Sequence, residues 1–145
     1  GGGFIKAAQK LSDPFLLLNG DTFFEVDLRE MIDFHHDKKS DWTLSIIKLN
    51  QSNRYMGIEM NSNGKIISLD SIQGQNSQLS NGGVYLINPS VLEKITWKPD
   101  LNISLESQIL PNFLSTDANL FGIEFLGKFI DIGVPEDYYR AQYIL

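Results

Sequence analysis

Pro14-Phe15-Leu16-Leu17-Leu18-Asn19-Gly20-Asp21 decides how the rest of this 145-residue chain is read. Four consecutive apolar residues, Phe15 to Leu18, are too few for a typical helix. Apolar residues on both faces of so short a run fit a strand buried on both sides, as in a parallel α/β sheet. The run stops at Asn19-Gly20-Asp21, which is polar, turn-forming and tolerant of positive φ. A carboxylate thus stands just past the carboxyl end of a buried strand, the edge at which open α/β sheets bind ligands. Asp21 is the leading candidate for a functional residue.

Upstream, Phe4, Ile5, Ala8 and Leu11 share one face of a short helix over 4–11. Ser12-Asp13-Pro14 ends it, because the residue before a proline is pushed out of the α region. Downstream, Phe23 and Phe24 continue apolar. Asp27 and Glu30 then have the N-cap and N3 spacing of a capping box, followed by Leu28, Met31, Ile32 and His35 at amphipathic spacing in a helix ending near Lys39. Strands are expected over 42–49, 54–60, 65–70, 82–88, 120–126 and 129–132, with a hairpin turn at Asn61-Ser-Asn-Gly64. The polar, Gln/Asn-rich residues 71–80 read as a surface loop. Short helices are expected over 90–95 and after the cap residue Ser104, with a kink or restart at Pro111. Pro135 opens a final helix with Glu136 and Asp137 in its first turn. Helices interspersed with apolar strands give an α/β domain over 1–145, and the hairpin makes its sheet mixed, though mostly parallel.

Composition narrows the function. The formal net charge is -6 and no basic run exceeds Lys38-Lys39, so no nucleic-acid partner is expected. An anionic substrate would need a metal cation or local donors. The absence of cysteine removes disulfides, thiolate metal sites and thiol nucleophiles together. No apolar run approaches bilayer length, and the expected location is cytoplasmic, away from the membrane. The chain starts Gly1-Gly2-Gly3 without methionine, which reads as a portion of a longer protein or a trimmed form.

A second aspartate, Asp131, lies in the apolar segment Phe129-Ile-Asp-Ile-Gly133. Two carboxylates at strand ends can converge on one hard cation, and Mg²⁺ takes one or two carboxylates with water and phosphate oxygens. The competing readings are a turn residue for Asp21 and a buried salt-bridge partner for Asp131. His35-His36-Asp37 is metal-like on paper, but adjacent histidines point to different helix faces and read as a solvated helix end. Trp42, Trp97 and the scattered Phe and Tyr residues read as core rather than a base-stacking platform. Glu106 reads first as a charge at a helix N-terminus.

Asn19-Gly-Asp21, Asn81-Gly-Gly-Val-Tyr85, Ser104-Leu-Glu106 and Phe129-Ile-Asp-Ile-Gly-Val-Pro-Glu-Asp-Tyr138 occur in this order over almost the whole chain. Together they resemble the sugar-1-phosphate nucleotidyltransferases, and within them most closely the D-glycero-α-D-manno-heptose 1-phosphate guanylyltransferases. The resemblance implies a Rossmann-like, GT-A-like sheet and a reaction joining an NTP, here GTP, to a sugar 1-phosphate with release of pyrophosphate. It implies Mg²⁺ as cofactor, with Asp21 and Asp131 as its catalytic ligands. Gly2, Gly3, Asn19 and Gly20 become nucleotide-binding candidates, although a tag remnant also explains the leading glycines. Asn81, Gly82, Gly83, Gly57 and Glu106 become substrate-binding candidates.

The chain departs from the family pattern in three places. The Gly-rich phosphate loop with its Arg and Lys has no counterpart, so an N-terminally truncated, inactive portion of the domain is expected. Ser71-Ile72 stands where a Glu-Lys pair usually grips the sugar phosphate, and Met56 stands where a glycine follows Tyr55, with Gly57 next to it. Without preceding strands, residues 15–18 would form a sheet edge, and a homo-oligomer through that edge is expected. Two other classes fit the same residues: a non-catalytic sugar-nucleotide-binding or regulatory domain, and a metal-dependent glycosyltransferase or phosphatase. The latter usually need Asp-x-Asp at the strand end, which Asn19-Gly-Asp21 does not supply.

Overall fold

A computed structural model of the protein describes residues 1–49, 55–70, 78–95, 103–116 and 118–145. The elements run α1 (Gly2–Ala8), β1 (Phe15–Leu18), β2 (Thr22–Phe24), α2 (Leu28–Asp37), β3 (Trp42–Lys48), β4 (Gly57–Met60), β5 (Ile66–Asp70) and β6 (Leu79–Ile87). They continue with α3 (Val91–Lys94), a π-helical turn at Leu105–Ile109, α4 (Leu110–Leu114), β7 (Leu120–Glu124), β8 (Phe129–Asp131) and α5 (Pro135–Ile144). The first residue of the strand expected over 54–60, residues 71–77 of the expected loop with Ser71-Ile72, and Trp97 lie outside the described residues.

The nine-residue β6 is the spine of a six-stranded sheet ordered β5-β4-β6-β3-β7, with β1 also paired to β6. β3 and β6 are buried along nearly their whole length, and their side chains alternate between two apolar layers. Trp42, Leu44 and Ile46 of β3, with Tyr85 and Ile87 of β6, meet Ile5 of α1, Ile109 of the π-helical turn and Leu110 and Phe113 of α4. On the other face, Val84, Leu86 and Ile47 meet Met31 of α2, Phe24 of β2 and Phe125. The α/β architecture with helices on a mixed sheet is as expected.

The strand directions are a correction. Among the described pairings only β3–β7 is parallel; β1–β6, β3–β6, β4–β5, β4–β6 and β2–β8 are antiparallel. β6 opposes every strand beside it, and direction depends on the route the chain takes between strands, which an apolar run does not encode. β1 is likewise not buried on both faces. Leu16 is 38% and Leu18 61% exposed, and β6 is the only described strand that pairs with β1.

Local signals were more faithful. Asp27 Oδ1 accepts from the N–H groups of Arg29 and Glu30 at 2.9 and 3.1 Å, capping α2. In the turn, Asn61 Oδ1 accepts from the N–H groups of Asn63 and Lys65, each at 3.0 Å, and Gly64 has φ +82°. Gly64 O then accepts from Gly122 N at 2.9 Å, docking the hairpin on β7. Boundaries moved: α1 begins at Gly2, β4 at Gly57, and β6 at Leu79, inside the expected loop. His35 is a second correction. It is 3% exposed, with Nδ1 2.8 Å from Thr43 Oγ1, because α2 lies flat on the sheet and turns this residue inward. Tyr138, Tyr139 and Tyr143 on α5 are exposed rather than core.

Candidate functional site

The chain turns at Asn19-Gly20-Asp21 and runs into β2, which pairs with β8 in a separate two-stranded ribbon. Its register sets Thr22 opposite Asp131, and Asp21 O accepts from Ile132 N at 2.8 Å. Two aspartates from distant parts of the chain are therefore neighbours across a short ladder. Their carboxylates turn toward one glycine. A Cβ built on Gly133 would stand 3.0 Å from Asp131 Oδ1 and 3.2 Å from Asp21 Oδ2. Asp131 is held at both oxygens: Oδ1 accepts from Gly133 N and Oδ2 from the Tyr55 hydroxyl, each at 3.0 Å.

This donor set suits a hard divalent cation. Two carboxylates supply oxygen ligands and glycine leaves space beside them, while water and phosphate oxygens would fill the other positions of an ion such as Mg²⁺. Among the described residues there is no group of three or more His, Cys, Asp or Glu side chains able to hold a metal by themselves.

Beside Asp21 opens a cleft of about 330 Å³ lined by Gly1, Asn19, Gly20, Asp21, Ser104, Leu105 and Glu106. Glu106 in its lining is held from behind by a buried hydrogen-bonded set. Asn81 Nδ2 donates to Glu106 Oε1 at 3.0 Å and to the Tyr85 hydroxyl at 2.6 Å, and Asn81 Oδ1 accepts from Gly83 N at 3.1 Å. Burial pushes the Tyr85 phenol well above its ordinary pKa; hydrogen bonds with Asn81 and Asn19 oppose this, and the Glu106 carboxylate adds to it. Tyr85 is therefore a protonated structural support, not an acid for chemistry near neutrality.

The glycines of β6 are explained by a bulge. The β3–β6 register passes from Leu44↔Tyr85 to Ile46↔Asn81, and Val84 N donates to Ser45 Oγ at 3.1 Å. Gly83 has φ +78°, and Asn19 N donates to Gly83 O at 2.8 Å, so the bulge seats Asn19 at the cleft. At Gly82 a Cβ would run into the Phe24 ring and stand 2.7 Å from Ser45 Oγ. Packing alone accounts for glycine there. Gly57 is a ladder residue opposite Ser80 and Asp70. Gly2 and Gly3 form the first turn of α1, and the cleft is lined instead by Gly1, packed on the Ile103 carbonyl.

Residues 3–145 match the nucleotidyl transferase family. The chain belongs to that family. It is 33% identical over 150 residues to the D-glycero-α-D-manno-heptose 1-phosphate guanylyltransferase of Aneurinibacillus thermoaerophilus, covering 98% of this chain and 60% of that protein. It is 31% identical over 143 residues to mannose-1-phosphate guanylyltransferase 1 of Arabidopsis thaliana, covering 94% of this chain and 38% of that one. The fold superposes on the crystal structure of HddC from Yersinia pseudotuberculosis with a TM-score of 0.78 at 27% identity, covering 97% of this chain and 59% of HddC. A second HddC structure, complexed with GMP-PN, gives a TM-score of 0.74 at 29% identity, with 97% and 60% coverage. The chain thus spans between 38% and 60% of the length of these relatives.

For a nucleotidyl transferase chain the placement of the candidates is uneven. Asp21 and Asp131 come together, Asn19, Gly20 and Glu106 line the adjoining cleft, and Asn81 and Gly83 stand behind it, bonded to Glu106 and Asn19 respectively. Gly2, Gly3, Gly57 and Gly82 stand outside its lining. Tyr55 and Tyr85, which touch candidate residues directly, were not among the expected site residues. The sequence marks Tyr55 only through the Tyr55-Met-Gly57 departure, and a hydroxyl crossing to Asp131 leaves no trace in spacing.

Proposed function

We propose that the protein is a sugar-1-phosphate guanylyltransferase that joins GTP and a sugar 1-phosphate into a GDP-sugar and pyrophosphate, the sugar being a heptose. The observation that carries this is the convergence of Asp21 and Asp131 at Gly133, beside a polar cleft, in a chain of this family. A phosphate oxygen of the sugar 1-phosphate attacks the α-phosphorus of GTP. One P–O bond forms there as the bond to the β-phosphate oxygen breaks, and pyrophosphate carries away the electron pair. Such a step needs little proton transfer, so positioning and charge neutralisation are what the protein supplies.

Asp21 and Asp131 would hold Mg²⁺, which when bound would supply positive charge to phosphate oxygens that the bare carboxylates would repel. Asn81 orients the Glu106 carboxylate, leaving it to accept hydrogen bonds from sugar hydroxyls. Asn19, seated by Gly83, presents an amide beside Asp21.

The test is pyrophosphate release by the longest form of the protein that its gene encodes, with GTP and either D-glycero-α-D-manno-heptose 1-phosphate or mannose 1-phosphate. Release is expected with Mg²⁺, suppressed by EDTA and lowered about a hundredfold or more by Asp131→Asn. Turnover indifferent to both would refute the assignment, and binding of GDP-sugar without turnover would point to a regulatory domain.

A further inference from the structure

Tyr55 stands just before β4, and Asp131 ends β8. The two meet although they are far apart in the chain. The Tyr55 hydroxyl donates to Asp131 Oδ2 at 3.0 Å, and the Tyr55 ring lies edge-to-face on Phe129 with centroids 5.8 Å apart. That ring contact fixes where the phenol oxygen points, since a tyrosine has few rotatable bonds once its ring is seated. The two oxygens of Asp131 are then divided. Oδ2 is taken by the phenol, while Oδ1 receives Gly133 N–H and lies on the side shared with Asp21 Oδ2.

We propose that Tyr55 is a positioning residue for the carboxylate pair: its hydroxyl locks Asp131 in the rotamer that turns Oδ1 toward Asp21 and the cation. This rests on the metal reading given above. Groups that hydrogen-bond a metal ligand from outside set its orientation, and their loss commonly weakens the metal by about tenfold or more. Asp131 is the last residue of β8, where the ladder ends and side-chain contacts set the carboxylate's orientation. It is partly exposed and has two side-chain torsions, and the hydrogen bond from the Tyr55 hydroxyl restrains both.

Mn²⁺ serves as a paramagnetic probe on the 145-residue chain, its affinity read from water-proton relaxation and its position from broadening of the Gly133 amide resonance. Tyr55→Phe deletes only the hydroxyl and keeps the ring on Phe129, so thermal stability checks that the fold is retained. Mn²⁺ affinity is expected to drop about tenfold in Tyr55→Phe and to be lost in Asp131→Asn. In the wild-type chain Mn²⁺ should also broaden the Tyr55 ring protons, a measurement independent of any variant. If Asp131→Asn loses Mn²⁺ while Tyr55→Phe binds as the wild type does, the role of Tyr55 is refuted and the metal site stands. If Asp131→Asn binds Mn²⁺ like the wild type, or the wild type binds none, the metal reading itself falls and this inference with it.

Discussion

A methyl group at position 133 would stand 3.0 Å from one carboxylate oxygen and 3.2 Å from another, closer than most real Cβ contacts. Gly133 is exposed and lies just past β8, so the fold gains little from glycine here. The carboxylate pair gains the room it needs. Gly133→Ala is therefore expected to lower divalent-ion affinity and nucleotidyl transfer on the order of tenfold, while unfolding in urea is almost unchanged. Parallel metal titrations and denaturation curves would check it; unaltered metal binding would mean that the oxygens can give way. Gly82 is the opposite case. There the ring of Phe24 fills the space, so the same type of residue serves packing in one place and the site in the other.

At the level of elements, β1 places the site and also carries a liability. It delivers Asn19 to the cleft and Asp21 to β2, yet its outer edge has no paired strand among the described residues. Leu18 is 61% exposed on it and Phe23, just beyond the turn, 41%. Such an edge is a template for pairing with another chain, and no lysine interrupts it. The 145-residue chain is expected to show mass rising with concentration in light scattering at micromolar levels. Leu18→Lys should suppress this without loss of thermal stability, because the side chain already faces solvent. A wild-type monomer at all concentrations would show that this edge is covered. α2 makes the contrast clear: its Asp27 cap is entirely local, and the sequence signal was sufficient to place its start.

For the molecule as a whole, a pH dependence of stability is expected from His35, buried on α2, and from Asp41, just before β3. Burial lowers the His35 imidazole below its ordinary 6.5, reinforced by the nearby His36 charge and opposed by the Asn88 side chain and Asp41. Burial alone would raise Asp41, but the Lys94 ammonium at 2.8 Å and the Asn119 N–H at 3.0 Å bring its carboxyl below the ordinary value of 3.8. Both groups bind protons more readily in the unfolded chain than in the folded one. Stability from His35 is thus full above pH 6.5 and falls as pH drops from there toward the folded value; the share from Asp41 is lost only in stronger acid, below 3.8. Melting temperature should fall between pH 7.5 and 5, and His35→Gln should be less stable at pH 7.5 but lose that slope. An equal slope in the variant would assign the effect to other groups. By itself the sequence determined what lies within reach of a few residues: the polar stop after Leu18, the Asp27 cap, the Asn61–Gly64 turn, and the motifs that mark the family. Only the tertiary structure decided that β6 runs against its neighbours, that His35 is buried, and that the convergence expected of Asp21 and Asp131 is made by the β2–β8 ladder at Gly133, with Tyr55 bonded to Asp131. Caps and turns are made by neighbouring backbone groups, whose preferences each residue carries with it. Strand direction and the meeting of distant side chains depend on how the chain is routed through space, and every residue along that route shares in the outcome.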